Sequence, residues 1–129
     1  MQVPEELRYS EDHEWVKVAD GVATIGIPDY AQEELGDIVF VELPQVGATL
    51  AQGASLGVVE SVKAVSDVYV PVSGTVVEVN GHLSDHPEII NESPYGDGWM
   101  VRVTVTDQTE IERLMTAEQY QAFIAAEKD

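Results

Sequence analysis

The sequence predicts a mainly β protein, a small sandwich or barrel with short helices and a C-terminal helical segment. Three observations carry this. Alternating runs rich in Val, Ile and Thr recur along the chain. Turn dipeptides, Asp20-Gly21 and Asn80-Gly81 among them, separate the runs. Helical periodicity is confined to brief stretches and to the last twenty residues or so. With 129 residues, 44% of them hydrophobic, the chain is long enough to close one core, so residues 1–129 are read as one domain.

Taken in order, Tyr9-Ser10-Glu11-Asp12 is a polar turn leading into a strand that ends near Asp20-Gly21, with 22–27 returning as the partner of a hairpin. Pro28 suits the first turn of a short helix over 30–35, and Gly36 its C-terminal cap. Glu33 and Glu34 fall late in that helix, where its dipole disfavours them, so local helix stability does not explain them. Residues 37–43 form a strong strand, while 50–53 read as a turn. Residues 55–62 and 65–72 are the arms of a central hairpin, with Val68, Val70 and Val72 on one face and Pro71 marking an edge or an end.

Gly47-Ala48-Thr49-Leu50 and Gly74-Thr75-Val76-Val77 echo one another on either side of this hairpin. Such an echo is expected of a sandwich of two similar halves. Residues 75–79 and 99–105 are strands, and 85–90 one helical turn. The C-terminal helices span about 108–127. In the last of them Thr116-Ala117-Glu118-Gln119 is a capping box, and Tyr120, Phe123 and Ile124 form an apolar face.

Composition excludes several functions. Six basic against 24 acidic side chains give a formal charge of −18, which disfavours nucleic acid and anionic membranes and favours partners with basic docking surfaces. Without cysteine there is no disulfide, thiol nucleophile or Cys–zinc site. Residues 1–6 lack the pattern of a signal peptide, and no apolar stretch approaches the ~20 residues of a membrane span, so a soluble, cytoplasmic protein is expected. Gly-rich phosphate loops and nucleophile elbows are absent. His82 and His86 are spaced like a metal pair, but Pro87 restricts His86 and no further ligands stand out, so no metal site is assigned. His13 reads as a turn residue and Trp15 as core. Nothing assembles a nucleophile, a base and oxyanion donors, so the chain is not read as an enzyme.

What remains is Glu60-Ser61-Val62-Lys63-Ala64-Val65-Ser66-Asp67, close to a mirror sequence about Lys63-Ala64. Two strands joined by those two residues would pair Val62 with Val65, Ser61 with Ser66 and Glu60 with Asp67, the last a like-charge pair. Lys-Ala lacks the residues that take positive φ readily, so neighbouring packing must hold such a turn. A single surface lysine is ordinary, but the lysines here are only Lys17, Lys63 and Lys128, and one stands at the centre of the hairpin. An amine on a hairpin tip is open to a modifying enzyme, and a group attached to it can swing clear of the body. That is the requirement of a group carrier, not of a catalyst.

Several stretches together resemble a known family: Asp12-His13-Glu14-Trp15-Val16, the run from Tyr30 through Gly36-Asp37-Ile38 to Leu43-Pro44, the lysine hairpin from Gly57 to Asp67, Pro71-Val72-Ser73-Gly74, and Pro94-Tyr95-Gly96-Asp97-Gly98-Trp99. The chain resembles the H protein of the glycine cleavage system over nearly its whole length. The resemblance implies a hybrid barrel-sandwich fold of the lipoyl- and biotinyl-carrier kind, with the lysine hairpin at about 57–72 and lipoate in amide linkage on Lys63. It implies glycine decarboxylase, aminomethyltransferase and dihydrolipoyl dehydrogenase as partners, with lipoate ligase or lipoyl/octanoyl transferase as the modifying enzyme, and a monomer. Glu60, Ser61, Val62 and Ala64 would present the arm and be read by the ligase, and Glu14 and Asp67 would contact the loaded arm. Pro28 stands where the family often has Thr or Ser. Glu34 stands where some members have His, so no histidine role is carried over. Biotinyl domains flank their lysine with methionines, and lipoyl domains of 2-oxo acid dehydrogenases carry Asp-Lys-Ala on a shorter chain. Val62-Lys63-Ala64 and the terminal elements favour the H protein. An H-like lipoyl donor serving other lipoate-dependent enzymes is the alternative function.

Overall fold

The computed structural model describes residues 1–128, Lys128 by its backbone alone. In chain order the elements are β1 (Arg8–Tyr9), β2 (Trp15–Ala19), β3 (Val22–Gly26), α1 (Asp29–Leu35), β4 (Ile38–Glu42), β5 (Thr49–Leu50), β6 (Ser55–Ser61), β7 (Val65–Tyr69), β8 (Gly74–Val79), the single turns α2 (His82–Asp85) and α3 (Ile89–Glu92), β9 (Val101–Thr104), α4 (Gln108–Glu112) and α5 (Ala117–Lys128). Two antiparallel sheets result: β1-β2-β3-β9-β8-β5, and β4-β6-β7. The mainly β architecture expected from the alternating runs is observed.

Period-two alternation turns one face of each sheet inward. Val16, Ile25, Val76, Val101 and Val103 of the larger sheet share a core with Val41, Leu56, Val59 and Val68 of the smaller. Val70 and Val72 also bury, although β7 ends at Tyr69, just short of Pro71. A second cluster under α5 joins Tyr9, Trp15, Tyr30, Tyr120 and Ile124, with the Tyr9 and Tyr120 rings stacked 4.6 Å apart. Each of these large side chains contributes about 2 kcal/mol by leaving water. The capping box holds: the Gln119 side chain accepts from the Thr116 N–H at 2.9 Å, and the Thr116 hydroxyl accepts from the Gln119 N–H at 3.3 Å.

Asp20 and Gly21 take positive φ (52° and 77°) and close the first hairpin. The echoing segments pair with each other, Thr49 with Thr75 and Leu50 with Gly74, so residues 50–53 begin as a short strand before turning. The single helical turn expected over 85–90 is instead two turns, α2 and α3, on either side of Pro87. The proline restricts His86 to a non-helical backbone (φ −135°, ψ 64°) and so breaks the run.

Gly74 is dictated by close approach. A Cβ there would lie inside the van der Waals envelope of the Thr104 carbonyl oxygen, which is backbone and cannot swing aside. Gly74→Ala is therefore expected to cost about 3 kcal/mol, read as a lower urea midpoint. A loss below about 1 kcal/mol would mean the β8–β9 edge can spread.

Candidate functional site

The tip of the β6–β7 hairpin differs from its sequence expectation by two residues of register. Glu60 lies opposite Val65, Val59 opposite Ser66 and Val58 opposite Asp67, so Val62 and Lys63 are the two central residues. A shift of two preserves which side chains face inward, which is why the burial pattern was foreseeable while the pairing was not. Glu60 and Asp67 do not oppose each other, and the like-charge penalty is absent. The mirror symmetry of the sequence is not the symmetry of the ladder.

No residue of the tip takes a positive φ. The Ser61 side chain does the work of the missing glycine. Its hydroxyl oxygen accepts from the N–H groups of Lys63 (3.3 Å) and Ala64 (3.0 Å), while the Ser61 N–H donates to the Ala64 carbonyl at 2.8 Å. Such a local side-chain cap replaces the strained turn. A second support comes from outside the hairpin: the Val62 N–H donates to the Asp37 carbonyl at 3.0 Å. The backbone on either side of Asp37 is held in turn by Asn91 of α3, whose amide donates to the Gly36 carbonyl and accepts from the Ile38 N–H, both at 2.9 Å. The tip therefore stands on a fixed base. Lys63 itself is exposed, and its stem passes the α1 C-cap, Cε lying 3.6 Å from where a Gly36 Cβ would be. Val62 and Val65 flank it in water at 70% and 68% exposure, and Ala64 is exposed as well.

Beside the tip, α1, the inner face of the smaller sheet and the turn before β2 enclose a groove of about 250 Å³. Ile27, Ala31, Leu35, Val59 and Val68 give it an apolar floor. Asp12, Glu34, Asp67 and Glu127 bring carboxylates to its walls, and Glu14 lines it too. Glu14 and Asp67, far apart in sequence, are thus brought to one cavity. Glu34, unexplained by helix stability, lies on this groove. Glu33 is exposed outside it, and His82 and His86 are exposed elsewhere.

The turn carrying Glu14 depends on His13, which adopts φ 66°, a left-handed conformation costing about 1 kcal/mol for a non-glycine residue. Its ring offsets that cost. Nδ1 lies 2.9 Å from the Tyr120 hydroxyl and Nε2 3.0 Å from a Glu127 carboxylate oxygen, with Tyr30 and Phe123 packed around it. The reversal drives Glu14 inward to 1% exposure. There Oε1 accepts from the Ser10 hydroxyl at 2.5 Å, and Oε2 accepts from the Tyr69 N–H at 3.2 Å, a donor at the end of β7. Burial pushes the Glu14 carboxyl up to about 7, against the pull of those two hydrogen bonds. The acid–anion change of this group therefore falls near neutral pH.

Sequence reasoning missed Ser10, Asn91, Gly36 and Glu127, which hold or border the site. Gly36 and its positive φ of 82° were legible as a helix cap, but their nearness to Lys63 was not. Asn91 and Glu127 carry no local signal, since their roles depend on elements 53 and 114 residues away.

An exposed amine on a braced tip, beside an apolar groove walled with carboxylates, is the layout of a group carrier: a place to attach a group and a place to rest it. Comparison with known proteins specifies which. The family model for the glycine cleavage H-protein matches residues 7–127. The chain is 56% identical to a glycine cleavage system H protein of Alcanivorax borkumensis, over 98% of both chains, and 60% identical to one of Geobacillus kaustophilus, over 96% of this chain and 98% of that one. The crystal structure of a glycine cleavage system H protein from Mycobacterium marinum superposes with a TM-score of 0.89 at 43% identity, covering 95% of this chain and 99% of the other. The chain belongs to the glycine cleavage H-protein family, the non-catalytic lipoyl carriers of the glycine cleavage system. Among the described residues, no helix is long and apolar enough to cross a membrane.

Proposed function

We propose that Lys63 carries lipoate in amide linkage, and that the chain takes the aminomethyl group from glycine decarboxylase to aminomethyltransferase and electrons to dihydrolipoyl dehydrogenase. The observation that carries this reading is an exposed lysine on a braced tip next to a groove of matching chemistry. When attached, lipoate supplies the disulfide that takes up the aminomethyl group and the electrons.

The protein's own residues do the rest. Ser61 and Asp37 hold the tip rigid, so that a ligase or lipoyl/octanoyl transferase meets Nζ in one orientation, with Glu60, Val62 and Ala64 as its surroundings. Ile27, Leu35, Val59 and Val68 offer an apolar bed to an aliphatic chain. Glu14 and Asp67 face the place where a protonated amine would rest. Glu14, buried, would hold it by a charge-assisted hydrogen bond and exclude the water that would hydrolyse it. The chain acts in this reading as a monomer in the cytoplasm.

Intact mass and peptide mapping after coexpression with a lipoate ligase and added lipoate test the attachment. One lipoyl increment confined to the peptide containing Lys63 is the expected result. A biotin increment, or none where a control carrier is lipoylated, would overturn it.

A further inference from the structure

Glu14 lies between two cavities. One is the groove beside Lys63. The other, of similar size (about 250 Å³), opens behind the turn and is lined by Tyr9, Ser10, Glu11, Gln52 and Arg113 as well as by Glu14. The carboxylate therefore has a second direction in which to point. Charge opposes the anion less in that direction: the groove holds Asp12, Glu34, Asp67 and Glu127, whereas the rear cavity shares Asp12, adds Glu11 and has Arg113 on its wall.

We propose that Ser10 is the positioning residue for Glu14, its hydroxyl setting both the direction and the charge state of the carboxylate that the groove presents. This rests on the reading of Glu14 as the groove's amine contact. Ser10 is itself nine-tenths buried, and its hydroxyl serves Glu14 twice. It donates to Oε1 at 2.5 Å and accepts from the Glu14 backbone N–H at 3.0 Å. The ring so formed ties the side chain to its own turn, leaving Oε2 to the Tyr69 N–H. A hydroxyl that donates to the anion favours the charged form, opposing the burial that raises the carboxyl.

The groups around Glu14 leave few substitutes. On its own turn are Asp12 and His13, on α1 Tyr30 and Glu34, on β7 Asp67, on α5 Glu127. Behind it, Tyr9 and Glu11 flank the turn and Arg113 follows α4. His13 is engaged with Tyr120 and Glu127, and Tyr30 with Glu127. The carboxylates and phenols cannot stabilise another anion by charge. Removing the Ser10 hydroxyl therefore removes one of two donors that fix Glu14.

The test is a carbon-13 titration of the Glu14 carboxyl in unloaded protein, for the natural chain, Ser10→Ala and Ser10→Thr, beside the pH profile of aminomethyl hydrolysis in the loaded forms. Ser10→Ala is expected to raise the Glu14 midpoint by about one pH unit and to move the protected limb of the hydrolysis profile up by the same amount. Ser10→Thr, which keeps the hydroxyl, should restore both. An alanine variant whose midpoint moves by less than about 0.3 unit, or a threonine variant that behaves like alanine, would overturn the proposal. Because the titration uses unloaded protein, it separates the two readings. If Glu14→Gln accelerates hydrolysis while Ser10→Ala leaves the midpoint in place, the role of Ser10 falls and that of Glu14 stands. If the midpoint moves as expected but Glu14→Gln leaves hydrolysis unchanged, Ser10 still sets the carboxylate and the amine-contact reading falls.

Discussion

Lys63→Arg is expected to abolish lipoylation, and with it glycine-dependent electron transfer to dihydrolipoyl dehydrogenase, while leaving the melting temperature within about 2 °C. The substitution keeps the positive charge and nearly the length of the side chain, so docking by charge is preserved. It removes the one property the proposal needs, an amine that can lose a proton and form an amide, since a guanidinium stays protonated and is not a useful nucleophile. The fold makes the loss selective. The hairpin uses the backbone N–H of Lys63, which arginine retains, and the side chain is exposed beside the α1 cap. Lys17 is no substitute: it is exposed too, but in the middle of β2, paired with Thr24, where no turn projects it. Loss of the lipoyl mass increment together with an unchanged melting curve is the expected pair of observations. A variant that still gains the increment on another lysine, or still supports electron transfer, would remove Lys63 from the mechanism.

Why the lysine was legible while its surroundings were not follows from the range of each interaction. Alternation over 55–62 and 65–72 defines two strands and their inward faces within a few residues of the observed bounds, and the scarcity of lysine marks the tip. Register is a different matter. A mirror sequence offers several pairings that bury the same side chains, and two features outside the local pattern select one: the Ser61 hydroxyl capping two N–H groups, and the Asp37 carbonyl receiving Val62. The Asp37 support rests on Asn91, which lies just beyond the helical turn read over 85–90. Glu14 was visible through family resemblance, but its burial was not. An acidic residue within Glu11-Asp12-His13-Glu14 looks solvated, and only the left-handed His13 turns it inward. Propensity carries the elements; the site is closed by distant contacts, such as Glu14 with Tyr69 and His13 with Glu127, 55 and 114 positions apart.

Glu14→Gln is expected to stabilise the unloaded protein at pH 8 by about 2 kcal/mol, a rise of about 6 °C in melting temperature, and to leave it nearly unchanged at pH 5. The sign follows from the raised carboxyl. Unfolded, this group ionises near its ordinary 4.5; folded, it holds its proton up to about 7. Between those values the folded state binds more protons than the unfolded one, so stability falls as pH rises through the window, and above 7 the full cost of a buried anion is present. Glutamine is neutral throughout and fits the same contacts. Its carbonyl can accept from the Tyr69 N–H, and its amide can donate to the Ser10 oxygen, whose hydroxyl now donates to Glu14. Equal melting shifts at pH 5 and pH 8 would show that the carboxyl is not raised by burial. The same variant is expected to hydrolyse its aminomethyl cargo about tenfold faster at pH 8, because the charge-assisted hydrogen bond to the amine is gone. An unchanged rate would release Glu14 from that contact. Opposite signs for stability and protection in one substitution would explain why a chain keeps an anion in its interior: the carboxylate that weakens the empty protein is the one that holds a cation in the loaded one.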